Sequence, residues 1–518
     1  FHSIIFKIIM MKNKITILFT LSVIIMMGIT SCSKKLDEVL PQDAISKDQA
    51  LKDPNAARTL YHGVYARFKA YNSTLFQLGE MRSDIWVDGL FTESADGGLK
   101  NLYTHNISAT NVPFSNWAGF YNLIYNMNNV IKIIPQSPLP ADERDRILAE
   151  VYGLRAYIYY LMVQTWGNVP LNTEPVETIN NAAETYKHRT GADTVMAQVK
   201  SDIEKSLQLF GPSNVIAGGK RVYWNRIATL VLKGDVFNWT GTHMGGGAAD
   251  FTTAKNALME VKNLQGATLD LQANYADIFD PNKKNNNKEI IFAVNYEIQQ
   301  GENGIFGSFR VNPIQAASLS LAQAPTPTVA SVYPYVNGAN RVGINPTLFP
   351  VLTGAPADQR ISNSIKVMYN TSSPYAVRGV MLTKFIGTTA GTTQVYNNDY
   401  PIYRFADVLL LLAEAKTKLG EDPSAEINAI RLRAYGGAAP VFTNGSITQN
   451  QEAVLDEYLR EFIGEGKRWL ALRRSGDNFV YAKMNPVYLS PATQAKFLLP
   501  ISQSMIANDP LLVQTPGY

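Results

Sequence analysis

Apolar side chains recur every three or four residues along several stretches of this chain. In the clearest run, Phe120, Ile124, Met127 and Ile131 follow this spacing, and Pro135 ends the run. The spacing places these side chains on one face of an α-helix, and that face must be buried against another part of the protein. The pattern therefore predicts a mainly α fold in which amphipathic helices pack on one another.

A second helix is predicted directly after the first one. It follows Pro140 with Asp142 as the N-cap and ends at Gly167, and the short connection predicts that the two helices are antiparallel. A first helix is predicted within residues 43–70, and further amphipathic segments lie at residues 194–209, 224–240 and 254–264. Repeated helix pairs of this kind favour a solenoid-like stack, as in tetratricopeptide arrays.

Two long segments lack the helical spacing. Residues 71–113 are rich in Gly, Asn, Thr and Asp and are predicted to be mostly loop. Residues 265–400 contain a polar tract, a strand-like stretch at 290–296 and many Gly, Pro and Thr residues. Such a long segment is expected to be a functional surface carried by the helices. Its aromatic residues argue against the alternative, a disordered linker.

The last part of the chain is predicted to be helical again. One apolar stripe covers residues 405–419, a second helix begins at Pro423 and Ser424 and ends at Gly436, and a third covers about residues 452–474. These helices extend the scaffold that the first half of the chain predicts.

The N-terminal segment has the features of a secretory signal peptide. Lys12 and Lys14 precede an apolar run at residues 15–29, and small residues then lead to Cys32. A membrane-spanning helix needs about 20 apolar residues, so this run is too short to span a bilayer comfortably. The segment is therefore predicted to direct export and to be removed.

Cys32 is the only cysteine in the 518 residues, and residues 29–32 resemble the bacterial lipoprotein box, in which the thiol is acylated. We expect residues 1–31 to be removed and residues 32–42 to form a lipidated tether. Met10 or Met11 is the expected start of translation. The alternatives are an ordinary signal peptide followed by an unrelated cysteine, or an uncleaved anchor.

Charge and cysteine content exclude two classes of protein. The formal charge of +4 includes three lysines of the expected signal segment, so the remaining chain is close to neutral and nothing indicates nucleic-acid binding. Acylation of Cys32 would leave no thiol for a disulfide, so the stability of this large chain must come from packing.

Motifs in several separate stretches resemble those of the SusD/RagB family. They are residues 154–156, 160–161, 167–170, 404–407, 409–416 and 427–434, then Glu457, Glu461, Glu465-Gly466, Arg468-Trp469, residues 472–474 and 499–501, and Asn508, Pro510, Gln514 and Pro516-Gly517-Tyr518. Two positions depart from the family pattern. Tyr458 stands where the family often has arginine, and Thr515 replaces an asparagine in the usual ending.

The resemblance implies a surface lipoprotein of the outer membrane that faces the cell exterior. Such proteins sit on a SusC-like TonB-dependent transporter and capture glycan, or in some members peptide, before import. The implied fold has tetratricopeptide-like helix pairs that support irregular, partly β insertions forming the ligand face. Residues 43–518 are expected to form one domain, with an N-terminal part at 43–264, the ligand-face insertion at 265–400 and a C-terminal part at 401–518.

The motif residues themselves are interpreted as structural. Glu461, Glu465, Arg468 and Arg473 are predicted to form ion pairs along and between helices, and Trp469 is predicted to lie in the core. No cofactor is expected.

An enzymatic role is one hypothesis. Glu80, Asp84 and Asp88 would share one face if this piece were helical, and paired carboxylates can catalyse glycoside hydrolysis. A structural or solvated acidic face is the favoured alternative. The sequence contains no HExxH spacing, no GxSxG and no P-loop. It therefore predicts neither catalytic residues nor a metal site, and a lipid-anchored glycoside hydrolase is a distant alternative.

Ligand contacts are predicted from the chemistry of sugars, which stack on aromatic rings and hydrogen bond to amides and carboxylates. Aromatic residues in the irregular segments are the candidates, and local core packing is the alternative for each. They are Trp86, Tyr103, Phe306, Tyr333 and Tyr335. The tryptophans in helical stripes are predicted to be core instead: Trp117, Trp166, Trp224 and Trp469.

Overall fold

The computed structural model describes residues 46–518, apart from residues 92–95, 112–113, 115, 177, 217–218, 267 and 299–300. The expected signal peptide, Cys32 and the expected tether lie outside the described residues, so these predictions stay untested. In the part of the chain that is described, no helix is both long and apolar enough to cross a membrane.

Helices dominate the first half of the chain, as the apolar spacing predicted. The run with Phe120 and Ile124 forms a helix whose apolar side chains are buried. In chain order the elements are α1 (Lys47–Ala50), α2 (Pro54–Ala70), α3 (Asn72–Glu80), β1 (Trp86–Asp88), α4 (Gly97–Tyr103), α5 (Ala118–Ile133), α6 (Ala141–Trp166), α7 (Ala192–Phe210), α8 (Arg226–His243) and α9 (Gly247–Lys262).

Helix pairs repeat along this half. α6 packs along α7, α8 packs along α9, and α5 packs against both α2 and α6. The N-cap of α6 is Pro140 instead of the predicted Asp142, which lies in the first turn, where its negative charge favours the positive end of the helix dipole. Gly167 ends α6 with a φ of 71°, an angle that favours glycine.

Residues 71–113 were predicted to be mostly loop, and about half of the described ones lie in helices or strands, which form three packed elements. These are α3, β1 and α4, and α3 buries Leu75, Phe76 and Leu78 in the core. With only nine residues, α3 is too short to show a repeating apolar stripe. Tertiary packing rather than local pattern therefore makes this segment regular.

Residues 265–400 form short strands and helices, and the strand-like stretch at 290–296 becomes a fully buried strand. The elements are β2 (Ile290–Val294), α10 (Pro313–Ala317), β3 (Leu319–Ser320), α11 (Val329–Val332), β4 (Val342–Ile344), α12 (Phe349–Thr353), α13 (Gln359–Ser364), β5 (Ile365–Asn370), β6 (Val377–Leu382), β7 (Thr388–Ala390), β8 (Thr393–Val395) and β9 (Tyr400–Arg404).

All strand pairs in the described residues are antiparallel. β5 lies between β3 and β6, and β7 pairs with β8. β2 pairs with β9, and β1 pairs with β4, with Trp86 opposite Ile344. The pairing of β1 with β4 joins the segment at 71–113 to the insertion at 265–400, so the two segments that lack helical spacing meet there.

The C-terminal part returns to helices, which are α14 (Phe405–Lys418), α15 (Ser424–Tyr435), α16 (Ile447–Phe462), α17 (Arg468–Ser475), α18 (Asp477–Lys483) and α19 (Gln503–Asn508). The predicted third helix over about residues 452–474 is wrong as a single element. Gly464 and Gly466, with φ of 81° and 73°, break it into α16 and α17.

Two hydrophobic cores are present. The larger extends from Ala57 in α2 to Leu512 near the C-terminus. The smaller, which we call the satellite core, lies within the insertion and is built from Val311, Ala316, Leu319, Val329, Val336, Met368 and Met381. Tyr333 packs against the satellite core, and these contacts support the surface around this tyrosine.

Candidate functional site

Arg404, which precedes α14, lies at the centre of a buried charge network. Its guanidinium donates to carboxylate oxygens of Glu461 at 2.6 Å, Glu465 at 2.8 Å and Glu289 at 2.5 Å. Arg433 pairs with Glu289 and Glu461. Burial raises the pKa of Glu461, but the neighbouring Arg433 and Arg404 lower it overall. This network joins separate segments and leaves these motif residues unavailable to a ligand.

Three of the four charged residues predicted to be structural form ion pairs. Glu461 and Glu465 bind Arg404, and Arg468 donates to both oxygens of Asp84 at 2.9 and 2.7 Å. Arg473 differs, because it donates to the Phe497 carbonyl oxygen at 2.9 Å.

The two departures from the family pattern also have structural partners. Tyr458 accepts a hydrogen bond from Arg474 at 3.0 Å, and the buried Thr515 hydroxyl donates to the Leu499 carbonyl oxygen at 2.9 Å. Trp117, Trp166, Trp224 and Trp469 are all buried, as predicted. The family motifs therefore support the fold.

The three acidic residues of the catalytic hypothesis, Glu80, Asp84 and Asp88, each bind a different structural partner. Glu80 accepts backbone N–H groups of Gly464 at 2.8 Å and Lys467 at 3.0 Å, and burial raises its pKa to about 7. Asp84 pairs with Arg468, as above, and Asp88 accepts the Tyr103 hydroxyl at 2.5 Å. These contacts agree with the structural alternative. The described residues also contain no group of three or more His, Cys, Asp and Glu side chains that could hold a metal.

Three of the five predicted ligand contacts are core residues. Trp86 is 3% exposed, with its ring centroid 4.7 Å from that of Phe309, and Phe306 stacks on Phe385 at 4.2 Å. Tyr103 is 5% exposed and bound to Asp88. For these three side chains the burial agrees with the alternative of local core packing, because the short elements that carry them pack inward.

The other two predicted contacts reach the surface of the insertion. Tyr333 is half-buried, and Tyr335 is 38% exposed. The Tyr333 ring lines a cleft of about 290 Å³ together with Ser362, Asn363, Lys366, Thr383 and Asn398, which we call the Tyr333 cleft. Ligand pockets typically measure about 300 to 1,000 Å³, so the cleft suits a short ligand segment.

Asn398 gives the Tyr333 cleft an unused hydrogen-bond acceptor. Its side chain is 2% exposed, and its amide nitrogen donates to the Phe279 carbonyl oxygen at 2.6 Å. Its Oδ1 atom has no hydrogen-bond partner among the residues described. A buried polar atom without a partner costs free energy.

A polar cavity of about 490 Å³ adjoins the Tyr333 cleft and shares Phe279 and Asp280 with it. Lys284 lines this cavity and pairs with Asp399 at 2.9 Å and Glu297 at 3.2 Å. Another cleft, of about 320 Å³, lies where β1 meets β4 and is lined by Asp88, Leu90, Phe349, Met368 and Arg378, among others. This third opening therefore lies where the two segments meet.

The sequence did not indicate Asn363, Lys366 or Asn398 as members of the site. The polar run of Asn397, Asn398 and Asp399 directly before the buried strand β9 is the one signal that could have been used. It predicts polar groups at the edge of a core, but it does not show which other residues surround them.

Two family models match the amino-acid sequence. Residues 37–216 match a model described as starch-binding associating with outer membrane, and residues 358–518 match the SusD family model. The solved structure of B. fragilis NanU has 32% sequence identity and a TM-score of 0.81, and the match covers 93% of this chain and 100% of that chain. The chain belongs to the SusD family.

Further relatives agree with this SusD-family assignment. A SusD superfamily protein from Bacteroides vulgatus is 31% identical with a TM-score of 0.80, and the match covers 90% of this chain and 99% of that one. The SusD-like protein P38 of Formosa agariphila is 24% identical over 98% of this chain and 100% of its own. The mainly α SusD-like fold predicted from the motifs is thus confirmed, and the model matching residues 37–216 indicates outer-membrane association.

Proposed function

We propose that this chain is a cell-surface lipoprotein that binds an oligosaccharide and delivers it to a SusC-like TonB-dependent transporter in the outer membrane. The observation that carries the proposal is the Tyr333 cleft, where an aromatic ring lies beside amide and hydroxyl groups. Sugars offer apolar C–H faces to such rings and hydroxyl groups to such amides.

Two solved structures of the same fold support glycan as the class of ligand. One is a laminarin binding SusD-like protein, 23% identical with a TM-score of 0.69. The other is surface glycan-binding protein A from Bacteroides fluxus, 18% identical with a TM-score of 0.68. The transporter partner follows from the family resemblance. A peptide binder of the same fold is the alternative, and the binding experiment separates the two.

Tyr333→Ala is expected to lower oligosaccharide affinity roughly five- to 150-fold, because removal of a central stacking ring costs about 1 to 3 kcal/mol. The purified protein, without its signal segment, would first be screened on a glycan microarray and against a mixture of peptides. The strongest oligosaccharide would then be titrated by calorimetry and recovered intact afterwards.

Tyr125→Ala is the matched control, since this tyrosine is 45% exposed on α5, far along the chain from the cleft residues. It should leave affinity unchanged and melt at nearly the wild-type temperature, whereas Tyr333→Ala, which also loses packing against the satellite core, should stay folded but melt at a lower temperature. Unchanged affinity in Tyr333→Ala would place the ligand elsewhere, and binding of peptides alone would favour the alternative.

Cys32→Ala is expected to release the protein from the outer membrane, because the only thiol that can be acylated is removed. Cells carrying either form would be fractionated, and the membrane and soluble fractions compared by immunoblotting. Growth with a labelled fatty acid gives a second measurement, in which only the wild-type chain should carry label. A mutant that still fractionates with membranes and takes up label would show that Cys32 is not the lipid site.

A further inference from the structure

Lys366 places in the Tyr333 cleft a positive charge without an ion-pair partner in the described part of the chain. It lies on β5 and is half-buried, and its ammonium group donates to the Ser362 carbonyl oxygen at 2.6 Å. Among the described residues no carboxylate lies within ion-pair distance of it. Burial lowers the pKa of Lys366, which agrees with an ammonium group that lacks a counter-ion.

The groups around Lys366 do not supply the missing negative charge. Lys384 also lines the cleft, but its ammonium is paired with Glu465 at 2.9 Å. Asp280 is the single acidic residue lining the cleft, and one of its oxygens accepts the backbone N–H of Asn282 at 2.9 Å. Because Glu465 neutralises Lys384, the remaining charged groups of the lining are Lys366 and Asp280, and these two do not form an ion pair.

Arg310 does not line the cleft, but it is a buried cation whose charge acts on Tyr333. Its side chain is fully buried and donates to the carbonyl oxygens of Leu382 and Phe385, and no carboxylate in the described chain pairs with it. Burial raises the pKa of Tyr333, whereas the charge of Arg310 lowers it, so the guanidinium lies close enough to act on this ring. In the adjoining polar cavity, by contrast, Lys284 has two carboxylate partners.

We propose that the oligosaccharide bound in the Tyr333 cleft carries a negatively charged group, a carboxylate or a sulfate ester, that pairs with Lys366. This inference rests on the proposed function, since it specifies the class of glycan. The ring of Tyr333 would stack on the sugar, Oδ1 of Asn398 would accept a hydroxyl, and the ammonium group of Lys366 would donate to the anionic oxygens. A carboxylate and a sulfate ester would make the same contact with Lys366, although they occur in different glycans.

The test compares charged oligosaccharides with neutral forms of the same chain. The probes are oligogalacturonate and its carboxyl-reduced form, a sulfated galactan oligosaccharide and its desulfated form, and a laminari-oligosaccharide, within a wider array of neutral and acidic glycans. Wild type, Lys366→Gln and Lys205→Gln would be titrated by calorimetry at two salt concentrations. Lys205 is an exposed lysine on α7 and serves as the matched control.

Wild type is expected to bind a charged glycan at least roughly tenfold more tightly than its neutral form, a difference of about 1.4 kcal/mol, and less tightly at high salt. Lys366→Gln should remove this preference while binding the neutral form as wild type does, with unchanged melting. Lys205→Gln should behave as wild type. Carboxyl reduction and desulfation then identify which anionic group is bound.

Two results would overturn the inference. One is equal wild-type affinity for charged and neutral forms, and the other is a charge preference that survives in Lys366→Gln. If only neutral glycans bind and Tyr333→Ala weakens them, this inference fails and the proposed function stands. If no oligosaccharide binds, both fail.

Discussion

Arg404→Met is expected to lower the free energy of unfolding by about 3 to 5 kcal/mol, because it leaves buried carboxylates without their counter-ion. The side chains of Arg404, Glu289, Glu461 and Glu465 are all 0% exposed, so water cannot replace the lost hydrogen bonds. Urea unfolding followed by circular dichroism measures the change, provided that unfolding is a single transition.

Arg58→Met is the matched control for Arg404→Met. Arg58 forms an ion pair with Glu143, but its side chain is 40% exposed, so solvent screens the interaction. This variant should unfold at nearly the wild-type urea concentration. If Arg404→Met were no less stable than Arg58→Met, the network around Arg404 would contribute little to the fold.

Phe306→Ala is also expected to lower the free energy of unfolding by about 3 to 5 kcal/mol, because it removes a fully packed ring from the core. Phe306 is 1% exposed and stacks on Phe385, and it lies near Phe76 of α3. The same urea experiment applies, and oligosaccharide affinity would be measured on the fraction that remains folded.

Tyr335→Ala provides the comparison, since this residue was predicted to be a ligand contact on the same grounds but is 38% exposed. It should unfold nearly as wild type does. A Phe306→Ala protein of native stability that had lost oligosaccharide affinity would restore Phe306 as a ligand contact and contradict its role in the core.

The helical scaffold could be predicted because its evidence is local. The run with Phe120 and Ile124 shows its buried face directly in the spacing, and α5 ends at Ile133, just before the predicted stop at Pro135. α3 could not be predicted, because a nine-residue helix shows too few apolar positions for a period to appear. The break between α16 and α17 was missed although Gly464 and Gly466 mark it.

The candidate site was less predictable than the scaffold. Trp86 and Tyr333 lie in segments of similar composition, yet Trp86 packs beside Phe309 and Tyr333 lines a cleft. The difference depends on β1 pairing with β4, a contact between residues more than 250 positions apart. Lys366 and Asn398 become neighbours of Tyr333 only through tertiary packing, so no local pattern connects them.

The contacts of Glu80 and Asp84 have a consequence for the order in which the chain can fold. Their partners at Gly464 and Arg468 follow them by 384 residues, so ribosomes make one side of each contact long before the other. Until α17 has been made, both carboxylates lack the donors that permit their burial, and closing so long a loop is slow. The segment that carries Glu80 and Asp84 therefore reaches its final packing only when the chain is nearly complete.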